Sequence, residues 1–170
     1  MNYAPRFVDT VPDAARLRPV LLTYYTEVLR LFAQVSGPPF EPAAFAEENL
    51  AKFARFLPPD GRLLIAEAQD GAIMGCGALR RISPDAGEMK HMYVDPAARG
   101  TGLGRALFQM RIAAAKDMGL RTLYADTVKG NDTMLGMYDR FGFQRVDRYD
   151  GNANDAAYAP YLVYLRCEIA

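Results

Sequence analysis

The sequence has no tryptophan, one histidine and two cysteines, and its twenty basic and twenty acidic residues leave a formal net charge of zero. Cys76 and Cys167 stand far apart in the chain and match neither a metal-ligand spacing nor the dense bridging of small secreted domains. A lone histidine, His91, does not build a metal site by itself. The charge balance removes any global field that would draw the protein to nucleic acid or to an anionic membrane, so neither is expected as a partner and an anion site has to be local. No apolar run approaches the roughly 18 residues of a membrane span. Residues 1–12 carry Arg6 and Asp9 without an apolar stretch behind them, so a reduced, cytoplasmic protein without a targeting segment is expected.

What is present is the composition of a globular chain. Of 170 residues, 51% are hydrophobic and 24% charged, enough for one unit that buries roughly 70% of its unfolded surface. We expect a single domain over residues 1–170. Apolar residues at Leu17, Val20, Leu21, Tyr24, Val28, Leu31, Phe32 and Val35 predict a helix over 12–36, and a second helix is expected over 42–56. Residues 63–68 and 72–82 flank Asp70-Gly71, whose left-handed dihedrals suit a tight hairpin turn. A third strand is expected over 88–94, after a possible short one at 6–9. Leu103, Ala106, Leu107, Met110, Ala114 and Met118 then form one helical stripe that ends at Gly119. A strand at 121–127, a short helix at 131–141 and strands at 143–146 and 161–169 complete a mixed sheet with helices packed on it.

Between the third strand and the stripe lies Arg99-Gly100-Thr101-Gly102-Leu103-Gly104-Arg105. Alternating glycines at a helix start let main-chain N–H groups converge and let a ligand approach closely, where the helix adds unpaired donors and partial positive charge. No Asp or Glu occurs from Pro96 through Lys116, although helix starts favour acids. The missing negative charge points to a phosphate-bearing ligand. The spacing from Gly100 and Gly102 fits neither a P-loop nor the Gly-x-Gly-x-x-Gly dinucleotide fingerprint, although Asp126 stands at a suitable distance for a ribose acid. The alternative is a glycine turn that only reverses the chain.

The stretch Glu88-Met89-Lys90-His91-Met92-Tyr93-Val94-Asp95-Pro96, followed by Arg99-Gly100-Thr101-Gly102-Leu103-Gly104, closely resembles the acyl-CoA-binding core of the GNAT superfamily of N-acetyltransferases. Asn131, Tyr138 and Gly142-Phe143 resemble the second half of that core. The resemblance implies an α/β (α+β) fold with a mixed, mostly antiparallel central sheet of about seven strands, helices on both faces and one splayed strand pair. It also implies acetyl-CoA as acyl donor, no metal, and a small-molecule or amino-acid-like primary amine as acceptor, attacked directly in a ternary complex.

In the same terms, the main chain of Met92 and Val94 contacts the pantetheine arm, and residues Arg99, Gly100, Thr101, Gly102, Leu103, Gly104 and Arg105 wrap the pyrophosphate. Tyr138 matches the position that protonates the departing thiolate, for which a phenol with a pKa near 10 is suited. Its helical spacing with Met134 and Phe141 equally allows a core role. Asn131 matches a CoA-contacting asparagine, or is a helix N-cap. Glu88 is the candidate base, with ordered water or a plain solvated carboxylate as alternatives. Strand alternation places it on one face with Lys90, Met92 and Val94, and His91 on the other. Cys76 reads as a buried small hydrophobe. Tyr24, Phe40, Tyr149, Asp150, Asn152, Asp155 and Tyr158 are expected to wall the acceptor end, and their carboxylates suggest a cationic amine. A non-catalytic acyl-CoA-binding module is the competing function, and the state is monomer or homodimer.

Overall fold

The computed structural model describes residues 3–169. Seven strands form one sheet in the order β1-β2-β3-β4-β5-β7-β6: β1 Arg6–Val8, β2 Gly61–Glu67, β3 Ile73–Arg81, β4 Ala86–Val94, β5 Thr122–Val128, β6 Gln144–Val146 and β7 Leu162–Glu168. Every neighbouring pair is antiparallel except β4–β5, which is parallel. The expected mixed, mostly antiparallel sheet is therefore observed. No helix among the described residues is long and apolar enough to cross a membrane.

Helices cover both faces. Leu17, Val20, Leu21 and Tyr25 of α1 (Ala14–Gln34) and Ala46 of α2 (Pro42–Ala51) pack on Leu63, Ile65, Cys76, Ala78 and Tyr93. Further along α1, Phe32 packs on Val128, Leu162 and Tyr164, so this helix crosses the sheet above β4 and β5. On the opposite face, α3 (Leu103–Asp117) sets Leu103 and Leu107 against Leu64 and Ala66, and Phe108 against Leu79, Met89 and Leu123. The short α4 (Asp132–Arg140) lies beside it and contributes Tyr138 to the same cluster. The second helix ends earlier than the sequence predicts. After Ala51 the chain tightens into a 3-10 turn over Phe53–Phe56, whose three-residue repeat sends Phe53 and Phe56 into the core together.

Two irregularities in β4 shape everything that follows. Its pairing with β5 runs only from Ala86↔Thr122 to Met89↔Ala125, although both strands continue, so they part beyond that point. On its other edge, Cys76 faces Tyr93 and Ala78 faces Lys90, which leaves Gly77 opposite both His91 and Met92. This is a β-bulge, and His91 sits in it with a φ of 49°.

The bulge corrects the expected alternation. Glu88 and His91 lie on the α1 side, where the imidazole is caged by Tyr24, Tyr25, Phe53 and Phe56. Met92 and Val94 lie on the opposite side, packed with Leu103 and Leu107. An extra residue shifts a period of two by one, so faces assigned from Glu88 invert from His91 onward.

Candidate active site

A cavity of about 1290 Å³ opens where β4 and β5 part. Its lining runs from the glycine loop and the start of α4, past Met92, Val94 and Tyr138, to Tyr24, Phe40, Arg55 and Tyr158 beneath α1. Loop, strand gap and aromatic end thus share one space.

At the loop end, Gly100 and Gly102 have φ of 78° and 89°, and no atom lies within 4 Å of where a Cβ would stand on either. Gly102 is the N-cap of α3, with no side-chain cap on the helix and no acid in its first turn. The local N–H groups can be accounted for one by one. Those of Ala98, Arg99 and Thr101 donate to Asp95, Pro96 and Ala98 carbonyls, and that of Leu103 to Thr101 Oγ1. The N–H groups of Gly100, Gly102, Gly104 and Arg105 have no acceptor among the described residues. Open space, four free donors and a helix N-terminus fit a diphosphate. Arg99, Gly100, Gly102, Gly104 and Arg105 line the cavity, whereas Thr101 and Leu103 do not: Leu103 is in the core and Thr101 Oγ1 donates to Ala98 O at 2.7 Å. Arg99 is engaged elsewhere, pairing with Glu27 at 2.8 Å and donating to Val94 O at 3.2 Å.

In the middle, Asp95 N–H donates to Met74 O on β3 at 2.8 Å. Since successive amides of a strand point to opposite edges, those of Val94 and Met92 face the side from which β5 has departed. Tyr138 is 3% exposed, its ring 5.4 Å from Phe108 and 5.1 Å from Phe143, both edge-on. Its hydroxyl has no hydrogen-bond partner among the described residues, and the residue lines the cavity. Burial holds the phenol above its ordinary pKa, against the pull of the Arg111 charge. Tyr138 is therefore both core and cavity wall. Asn131 also serves two ends: Oδ1 accepts from Met134 N–H, Nδ2 donates to Thr127 Oγ1, and the residue lines the cavity. Cys76 is buried and its thiol is pushed up to about 12 by desolvation, with Sγ donating to His91 O.

Glu88 is not where the candidate base was expected. Its carboxylate is fully buried and absent from the cavity lining. Oε1 accepts from Tyr149 Oη at 2.9 Å, Ala153 N–H at 3.1 Å and Asn152 Nδ2 at 3.3 Å, and Oε2 from Arg80 Nε at 2.7 Å. The neighbouring Asp126 does line the cavity, yet it too is saturated, by Lys90 Nζ at 3.0 Å, Asn152 Nδ2 at 2.7 Å and Asn154 Nδ2 at 2.9 Å. The two carboxylates bind residues 149–154 to the sheet. Tyr149 and Asn152, expected on the acceptor wall, are consumed in this network, and Asp150 does not line the cavity either. The Lys90–Asp126 pair was not foreseen as a unit, because nothing local in the sequence joins residues on different strands.

Tyr24, Phe40, Asp155 and Tyr158 do line the aromatic end. The carboxylates there are taken up: Glu48 pairs with Lys52, Glu27 with Arg99, and Asp155 caps the turn Ala156–Tyr161 through Ala157 N–H. Arg55 has no carboxylate partner among the described residues, its guanidinium resting on the Phe56 ring at 4.9 Å, and burial lowers its proton affinity. Asp155 and Arg55 thus each stand at this end without an ion-pair partner among the described residues, one charge of each sign.

The family model described as the acetyltransferase (GNAT) family matches residues 25–143. An uncharacterized N-acetyltransferase of Schizosaccharomyces pombe is 32% identical over 120 residues, covering 68% of this chain and 69% of the relative. Among solved structures, an acetyltransferase of the GNAT family from Staphylococcus aureus superposes with a TM-score of 0.73 at 15% identity, over 98% of this chain and all of that one. A GNAT superfamily phosphinothricin acetyltransferase from Sinorhizobium meliloti, solved in complex with AcCoA, gives 0.66 at 20% identity, over 99% and 89%. At these identities the solved structures speak to the fold.

The Glu88 network makes a direct prediction. Glu88→Gln sets an NH₂ group among four donors and leaves Arg80 without its counter-charge, so we expect a loss of about 3–5 kcal/mol in urea unfolding. Hydrogen exchange at the Ala153 amide should accelerate as well. A variant of wild-type stability with unchanged protection at Ala153 would contradict the assignment.

Proposed function

The chain belongs to the GNAT acetyltransferase family, and on that premise we propose that it moves the acetyl group of acetyl-CoA to the primary amine of a small, amino-acid-like acceptor by direct attack in a ternary complex. The observation that carries this reading is the single cavity joining four unpaired loop amides, the β4 amides at the strand gap and the Tyr138 hydroxyl. Acetyl-CoA supplies the activated acetyl group.

The chain's own residues divide the work along that cavity. The N–H groups of Gly100, Gly102, Gly104 and Arg105, with the start of α3, hold the diphosphate, and the Arg105 side chain adds charge. Asn131 lies along the same wall. Main-chain groups of Met92 and Val94, left without a strand partner, take the pantetheine arm, and the Val94 N–H donates to the carbonyl oxygen as negative charge grows on it. Tyr138, kept protonated by burial, gives its proton to the sulfur as the C–S bond breaks. With Glu88 saturated, the attacking amine loses its proton to water, and Glu88 serves the acceptor end by fixing residues 149–154. The acceptor's flat apolar body lies against Tyr24, Phe40 and Tyr158, and its carboxylate meets Arg55. Residues 1–170 act as one acetyltransferase domain.

Three measurements test this scheme. In calorimetry Gly102→Val, which places a branched side chain at a left-handed position, should weaken CoA binding at least about tenfold. Unchanged affinity would remove the loop from the donor site. Tyr138→Phe should lower kcat by about a hundredfold while acetyl-CoA affinity stays within about twofold; wild-type turnover would return the residue to packing alone. A panel of amines assayed by CoA release should favour carboxylate-bearing aromatic ones, and Arg55→Met should raise their KM about tenfold or more. Equal KM values for an amino acid and its decarboxylated amine would contradict the acceptor assignment.

A further inference from the structure

Arg111 is the one arginine among the described residues that is fully buried, and no carboxylate stands beside it. In sequence it interrupts the apolar stripe of α3, four residues after Leu107 and three before Ala114. An isolated cation inside a protein costs several kcal/mol in lost hydration, so its neighbours have to compensate closely. The neighbours are neutral. Nε donates to Leu107 O at 3.2 Å, Nη1 to Ala78 O at 3.3 Å and Lys90 O at 3.4 Å, and Nη2 to Met92 Sδ at 3.1 Å. The guanidinium also lies 5.4 Å from the Phe108 ring centre.

These acceptors are not scattered. Ala78 and Lys90 are the last register pair before the β4 bulge, and Met92 is the first residue after His91. The guanidinium therefore spans the bulge from the α3 side, satisfying carbonyl groups beside the disrupted ladder. Gly77, the residue facing the bulge, makes room for it: a Cβ there would stand 2.9 Å from Arg111 Nε. The bulge in turn sets which way the next amides point.

We propose that Arg111 is a positioning residue for acetyl transfer, which holds the β4 bulge open from beneath and so aims the Val94 amide at the thioester carbonyl. The inference rests on the donor site described above. The charge of Arg111 and the Tyr138 phenol also influence one another, which is consistent with a guanidinium lying under the reacting groups.

Isotope-edited infrared spectroscopy of bound acetyl-CoA, labelled with ¹³C at the acetyl carbonyl, reads that aim directly. In the wild type the carbonyl band is expected to shift from its position for the free thioester. In Arg111→Met the band should move back, with kcat lower at least about tenfold and CoA affinity within about twofold, since the diphosphate site is untouched. Arg111→Lys, which keeps a charge and a donor, should restore part of both. Gly77→Ala keeps the arginine but pushes on its Nε, and should reproduce the loss. It carries the test if Arg111→Met does not melt cooperatively. A folded Arg111→Met or Gly77→Ala with wild-type band position and kcat overturns the inference. A wild type that binds no acetyl-CoA overturns the donor-site reading instead, so the two failures are distinguishable.

Discussion

Two neighbouring strands that stop exchanging hydrogen bonds while both continue leave main-chain donors and acceptors with nothing to bind, and folded chains seldom tolerate this inside. Here the break after Met89 and Ala125 generates the cavity. For the gap to persist, each parted strand needs another support. The far edge of β4 stays laced to β3 as far as Val94, with the bulge in between. The far edge of β5 is paired with β7 along its whole length. At the point of divergence, Lys90 and Asp126 bridge the two strands with an ion pair only 12% and 7% exposed. The fork is thus braced at its crotch and along both tines, and α1 crosses over it.

The chemistry of the cavity follows from which polar groups the fold has already satisfied. The carboxylates nearest the fork are saturated by an arginine, a lysine, a phenol, amides and a main-chain N–H, so they act as fasteners. By contrast, four amides at the mouth of α3 and the Tyr138 hydroxyl have no partner among the described residues. The satisfied carboxylates build the wall, and the unpaired loop amides and phenol are groups left open toward the cavity. Burial strengthens this division at Tyr138, whose phenol keeps its proton in a dry wall.

Most of the scaffold was legible because its signals are local. The stripe from Leu103 and the Asp70-Gly71 turn need only a few neighbouring residues to be read, and both occur where expected. The glycine loop was equally readable, since φ values of 78° and 89° need glycine at Gly100 and Gly102 themselves. The bulge was not. It depends on the register of β4 against β3, and strand alternation without it put Met92 and Val94 on the wrong face. Glu88 failed to reach the cavity for a similar reason: its partners Tyr149, Asn152 and Ala153 are more than 60 residues away, and nothing near Glu88 announces them.

Arg80, Glu88, Lys90 and Asp126 form two pairs of opposite sign around one set of amides and a phenol. Changing a single member strands a buried charge, so these positions are free to diverge only in concert. Phe40 and Tyr158, which meet in the aromatic wall at 5.5 Å, carry no such obligation. Drift across descendants of this sequence would therefore reshape the aromatic end of the cavity while the struts beneath it stay fixed, so that one frame could carry differently shaped pockets by replacement of wall residues alone.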